Sequence, residues 1–120
     1  MIKFKSLNKS SKFQSILKKK KINNKYFNIY FDKNFDNSGK NKKVLNISFV
    51  MKKKIGNAVV RNKIKRRLKA AVQKFLREKE NINLNRTYVI FGRNNVYKDK
   101  FQLVYYEICN AFKKINQMKV

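Results

Sequence analysis

Lys52-Lys-Lys-Ile-Gly-Asn-Ala-Val-Val-Arg-Asn-Lys-Ile-Lys-Arg-Arg-Leu-Lys69 is the stretch around which the rest of the chain organises. From Asn57 to about Lys79 the apolar residues recur at helical spacing. Val60, Ile64, Leu68, Ala71, Val72 and Phe75 form one stripe. At about 100° per residue, Asn62, Lys65, Arg66, Lys69 and Gln73 fall on the opposite side, with Arg61 on the flank of the stripe. The pattern predicts a helix whose back is pinned to a core and whose front is a rigid cationic surface. Gly56 permits a tight strand-to-helix junction or the close approach of a polyanion backbone. Asn57 fits the N-cap, and the helix start adds partial positive charge suited to a phosphate.

Outward from that helix the pattern changes period. Val44–Met51 alternates, with Leu45, Ile47, Phe49 and Met51 on one face, and reads as a strand. Tyr26–Phe31 alternates likewise, with Phe27, Ile29 and Phe31 facing a core and Tyr26, Asn28 and Tyr30 facing away. The polar stretch Asp32–Lys42 between them, which holds Gly39, reads as the loop of a long hairpin. Thr87–Phe91 is an almost continuous apolar run, as expected of a central strand buried on both faces. Residues Asn8–Lys19 read as a first helix, capped by Asn8 or Ser10, with Phe13, Ile16 and Leu17 on one side and Lys18–Lys21 as its exposed end. A last amphipathic helix spans Phe101–Ile115, with Phe101, Val104, Tyr105, Ile108, Ala111, Phe112 and Ile115 inward. The expectation is one α+β domain over residues 1–120.

Charge narrows the partner. The chain carries 32 Lys+Arg against 6 Asp+Glu, a formal net charge of +26. Like charge at that density opposes compaction and calls for a polyanion, either nucleic acid or an anionic membrane surface. Lysine is abundant throughout, so arginine is the better guide. There are six arginines: Arg61, Arg66, Arg67, Arg77, Arg86 and Arg93. Three of them, Arg61, Arg66 and Arg67, sit in the stretch quoted above. Guanidinium groups hold phosphate oxygens bidentately, lysines supply mobile charge, and Asn62 among them can address a base edge or a 2′-hydroxyl.

Catalytic groups are sparse. The chain has no His, and its acids (Asp32, Asp36, Glu78, Glu80, Asp99 and Glu107) show no pairing pattern for metal-assisted phosphodiester chemistry. Its one cysteine, Cys109, reads as a core residue and suits a reduced, cytoplasmic setting. No apolar run approaches the roughly 20 residues that span a bilayer. The expected activity is therefore RNA binding, with no catalytic residue and no metal site on the polypeptide. A ribosomal or ribosome-assembly protein, a peripheral membrane protein and a free-standing nuclease are the competing readings.

Residues 56–69 resemble the arginine-asparagine-arginine motif of the bacterial ribonuclease P protein, with Lys63 at the third motif position. Lys53 and Lys54 match the basic pair that precedes it. Phe13–Leu17 resembles the family's first helix, Phe27–Tyr30 its first strand, and Tyr88–Arg93 the strand that ends in arginine. Asn46 and Ser48 stand where the family commonly has Arg and Gly. The resemblance implies an αβββαβα-type fold with a left-handed crossover around the motif helix. It also implies that a partner catalytic RNA, using bound magnesium, cleaves precursor tRNA while the protein grips the 5′ leader. Carried over, the RNA-binding set is Lys53, Lys54, Gly56, Asn57, Arg61, Asn62, Lys63, Lys65, Arg66, Arg67 and Lys69, and the leader cleft is Phe13, Leu17 and Tyr30. Stacking of bases on aromatic rings beside positive charge is a sound basis for single-strand binding.

If the cationic face works electrostatically, RNA affinity falls steeply as salt rises through counterion release. Arg66→Ala lowers that affinity and flattens the salt slope, with an unchanged circular dichroism spectrum because the apolar stripe is untouched. A filter-binding series across salt concentrations, run on both proteins, measures this.

Overall fold

The computed structural model describes residues 2–7, 10–33, 44–78 and 82–118. In chain order the elements are β1 (Lys3–Lys5), α1 (Ser10–Ile16), β2 (Lys20–Asn23), β3 (Phe27–Lys33), β4 (Val44–Val50), a 3-10 turn (Lys53–Ile55), α2 (Ala58–Glu78), β5 (Arg86–Gly92), α3 (Asn95–Lys98) and α4 (Phe101–Gln117). The five strands form one sheet in the order β1-β4-β5-β3-β2. This is the expected α+β arrangement, extended by the edge strand β1 and the short α3. The proposed cap Asn8, the loop residues 34–43, and Lys79 and Glu80 lie outside the described residues.

β5 occupies the centre because its sequence suits no other place. Six of its seven residues are buried, so both faces need cover. It runs parallel to β4, with Ile47 opposite Tyr88 and Phe49 opposite Ile90. It runs antiparallel to β3, with Phe31 opposite Tyr88 and Ile29 opposite Ile90. The connection from β4 to β5 passes through α2, making the parallel crossover. The long β3–β4 hairpin expected from the sequence does not form, because β5 lies between these strands. Alternation assigns each residue a face but does not choose a strand's neighbour, and the doubly buried strand claims the middle.

One face of the sheet carries Phe27, Ile29, Phe31, Leu45, Ile47, Tyr88 and Ile90 into the main core, together with Ile64, Leu68, Val72 and Phe75 of α2 and Val104, Ile108 and Phe112 of α4. Phe112 bridges the layers. Its ring stacks on Phe75 at 5.7 Å and meets Tyr88 edge-on at 5.3 Å. Cys109 is buried in this core, as expected. Gly92 sets how closely α2 approaches. A Cβ there would lie 2.7 Å from Ile64 Cγ2 and 2.7 Å from Met51 Sδ.

The opposite face is covered by α1, whose Ile16 is fully buried, as is Val89 of β5. The segment after β1 is tied across this layer by Leu7 N–H donating to Ser48 Oγ at 2.8 Å. Ser48, a departure from the family pattern, thus has a structural task. The first helix is shorter than expected. Lys20 and Lys21, assigned to its end, instead begin β2, which pairs antiparallel with β3. Asn24 builds the turn between them, its Oδ1 accepting from Tyr26 N–H at 2.8 Å and Phe27 N–H at 3.0 Å. Exposed lysines on this edge strand also discourage edge-to-edge pairing.

Tyr26 departs from expectation as well. It precedes β3 instead of alternating within it, and it is buried in the core cluster with its hydroxyl donating to Asp99 Oδ2 at 2.8 Å. Burial, with this bond and the nearby carboxylates, pushes the phenol up to about 12. The hydrogen bond from Tyr26, reinforced by Lys25 with its Nζ at 3.1 Å, holds the Asp99 carboxyl below its usual value.

Gly92→Ala is expected to destabilise the protein by about 1–3 kcal/mol, since the added methyl meets side chains packed from two elements. Gly56→Ala should cost less, because its nearest neighbour, Val60, belongs to the first turn of α2 and lies 3.1 Å away. Urea unfolding of both variants measures the difference.

Candidate nucleic-acid interface

α2 begins where the sequence places it. Asn57 is the cap, its Oδ1 accepting from Val60 N–H at 3.0 Å. From there Asn62, Lys63, Lys65, Arg66 and Lys69 are all exposed on the outward side, while Ile64, Leu68, Ala71, Val72 and Phe75 are buried. Two of these lysines lie over rings. Lys63 Nζ is 4.8 Å from the Tyr97 centroid and Lys69 Nζ is 6.0 Å from that of Phe4. Such contacts fix the stems while leaving ammonium protons free to donate. Arg61 is partly buried, and its Nε is enclosed with no hydrogen-bond partner.

Arg67 is placed differently from the other basic residues of the motif helix. Its Nη1 donates to the carbonyl oxygens of Val96 at 2.5 Å and Asp99 at 2.8 Å, with Tyr97 O at 3.4 Å. These carbonyls terminate α3, where a cation is favoured by unpaired acceptors and by the helix dipole. Arg67 therefore ties α2 to the segment after β5. Arg86 does the same for α4, its Nη1 donating to Ile115 O at 2.5 Å and its Nη2 to Met118 O. Sequence reasoning grouped Arg67 with its exposed neighbours because periodicity does not show which charged residue meets a helix end.

Beside the start of α2 lies a groove of about 470 Å³, lined by Leu17, Asn28, Tyr30, Lys52, Lys54, Ile55, Phe91, Gly92, Arg93 and Asn94. Its apolar wall is aromatic. Tyr30 meets Phe91 edge-on at 5.6 Å, and Phe13 of α1 meets Phe91 from another side at 6.1 Å. Cations bracket these rings, with Lys52 Nζ 5.8 Å from the Phe91 centroid and Lys21 Nζ 5.7 Å from that of Tyr30. Of the predicted cleft set, Leu17 and Tyr30 line the groove and Phe13 supports it through Phe91. Of the basic set, Lys54 reaches it, and Lys53 stands beside it in the 3-10 turn. Asn28, Phe91 and Arg93 were not predicted as site residues. The signal was present in β5, where Phe91 and Arg93 share the parity of Val89, opposite to the core-facing Tyr88 and Ile90.

This arrangement suits a flexible polyanion bearing flat rings. The groove offers ring edges and faces with Lys52, Lys54 and Arg93 among them, so a base and its phosphate can be met together. The lining consists of amides, aromatics, aliphatics and cations, which does not fit a divalent metal. Among the described residues no group of three or more His, Cys, Asp or Glu is placed to hold one. No helix among them is long and apolar enough to cross a membrane.

Comparison with known proteins agrees over nearly the whole chain. Residues 1–116 match the family model described as Ribonuclease P. The chain is 33% identical over 105 residues to the ribonuclease P protein component of Carboxydothermus hydrogenoformans, covering 87% of this chain and 84% of that one. It is 32% identical over 110 residues to the corresponding component of Mycoplasma mycoides subsp. mycoides, covering 91% and 94%. The solved structure of the RNase P protein from Thermotoga maritima superposes with a TM-score of 0.66 at 27% identity, covering 92% of this chain and 96% of that one.

Arg67→Ala is expected to lower stability by about 1.5–3 kcal/mol, because charged hydrogen bonds are lost and helix-end carbonyls are left without their donor. Arg66→Ala, on the exposed side of the same helix, should stay within about 0.5 kcal/mol of the parent. Thermal and denaturant unfolding midpoints distinguish the two.

Proposed function

The chain belongs to the ribonuclease P protein family, and we propose from that premise how it assists removal of the 5′ leader from precursor tRNA. The protein works as a docking and gripping subunit. Its partner RNA supplies the catalytic centre and would hold the magnesium, whose chemistry there would be charge neutralisation at the phosphate and activation of water. The chain's own residues bind and orient. The exposed face of α2 (Asn62, Lys63, Lys65, Arg66 and Lys69) meets the partner RNA through phosphates and 2′-hydroxyls. The groove holds the single-stranded leader, with bases against Tyr30 and Phe91 and phosphates between Lys52, Lys54 and Arg93. The setting is cytoplasmic, with the transcripts it processes.

The observation that carries this reading is the junction of the two surfaces. The run Lys52–Asn57 joins the groove to the start of the basic helix, so one RNA can lie on α2 while a leader enters beside it. The enclosed, unpaired Nε of Arg61 agrees with it. A buried donor without an acceptor is costly, and rotation of the side chain toward an RNA oxygen would relieve that cost.

Single-turnover cleavage of a precursor tRNA with a long 5′ leader, at low magnesium and with the cognate catalytic RNA, tests the proposal. Adding the protein is expected to restore cleavage at the mature 5′ end. The protein without RNA should cleave nothing. RNA binding without stimulation would instead point to a ribosomal or ribosome-assembly role.

A further inference from the structure

One polar pair inside the groove has a property that its aromatic and cationic neighbours lack. Asn28 of β3 and Phe91 of β5 are directly opposed in the sheet, and Arg93 follows two residues on, on the same face. Arg93 is exposed and reaches back diagonally, its Nη2 donating to Asn28 Oδ1 at 2.5 Å. Both residues line the groove, next to Tyr30 and Phe91.

An asparagine amide is ordinarily ambidextrous. By flipping, it presents either its carbonyl oxygen or its NH2 group to a ligand. A guanidinium has donors only. The side of Asn28 that meets Arg93 must therefore be the oxygen, and a flip would set NH2 against a cationic donor. The amide is locked, and what remains for a groove occupant is the Nδ2 donor pair. Stacking on a ring is tolerant of base identity, whereas the locked amide is able to discriminate.

We infer that Asn28, held by Arg93, is a specificity-determining residue that makes the groove favour a base with an exocyclic keto oxygen over one with an exocyclic amine. Both pyrimidines carry an oxygen at C2, so the choice is made at C4, where uridine offers an oxygen acceptor to the amide and cytidine an amine donor, and uridine is bound in preference. This rests on the groove being the leader site proposed above. The discrimination is that of one hydrogen bond made or left unpaired, about threefold to tenfold in affinity.

The test uses the holoenzyme, assembled from this protein and its catalytic RNA, and three precursor tRNAs: one with a uniform uridine leader, one with a uniform cytidine leader of the same length, and one without a leader. Equilibrium affinities are expected to rank uridine over cytidine over leaderless. Asn28→Asp replaces the donors by an acceptor that still pairs with Arg93, so the uridine-to-cytidine ratio should fall to one or invert. Arg93→Gln releases the amide to flip and should bring the ratio to one even where both affinities drop. Because the ratio is read, a uniform loss from charge or folding does not imitate the effect. Equal affinity for the uridine and cytidine leaders, both tighter than leaderless, overturns the inference and leaves the leader site standing. A preference that persists in Asn28→Asp also overturns it. Affinities that are the same with and without a leader remove the leader site itself, and the inference with it.

Discussion

The close seating of α2 on β5 at Gly92 is the constraint on which this molecule depends. With no side chain at that position, Ile64, Leu68 and Met51 close over the strand end. The stripe is thereby buried, which fixes the rotation of the helix and turns Asn62, Lys65, Arg66 and Lys69 outward. The same strand end delivers Phe91 and Arg93 to the opposite face, where the groove is. One packing contact thus sets both surfaces through which an RNA would be held.

A chain with a net charge of +26 must also manage its own repulsion. Part of the answer lies in how cations are used internally. Arg67 and Arg86 face the carbonyl ends of α3 and α4, where backbone acceptors replace water as partners. Asp99 gathers Tyr26 and Lys25 at one point, beside the carbonyls that take Arg67. Its lowered pKa means the charged form is favoured by folding. That contribution is present at neutral pH and is lost as pH falls through the folded-state value. Exposed cations remain on α2 and around the groove, and also on β1, the β2 edge and α4. This divides the basic residues into those that hold the fold and those available to a polyanion.

The groove differs from the α2 face in kind. The helix face offers point charges on flexible stems, which suits docking that is strong and tolerant of sequence. The groove is built on the sheet, with rings at fixed angles and an amide held by a guanidinium, and so presents fixed geometry. In the proposed role, the first kind of contact would serve affinity and the second placement.

How much of this was legible from the sequence follows from what each signal encodes. Helical and two-residue periodicities are local, so α2, α4, β3, β4 and β5 were found with the correct faces, and the outward set on α2 followed from the same arithmetic. The resemblance of residues 56–69, with the ordered matches around it, identified the family. Strand neighbours were not legible. The order β1-β4-β5-β3-β2 arises from competition among whole strands for burial, and the doubly apolar β5 displaced the expected hairpin. Neither were β1 and β2, short segments rich in lysine that pair only because a sheet edge is already present. The roles of Arg67, Tyr26 and Asn28 belong to this second class. Each depends on a partner 29 or more residues away in the chain, and only the closed fold brings donor and acceptor within reach. The sequence by itself determined the longer elements, their faces and the cationic character of the surface, because those are properties of neighbours along the chain. The tertiary structure alone decided which cations were left free and what the groove presents, because those depend on distances that exist only once the sheet is formed.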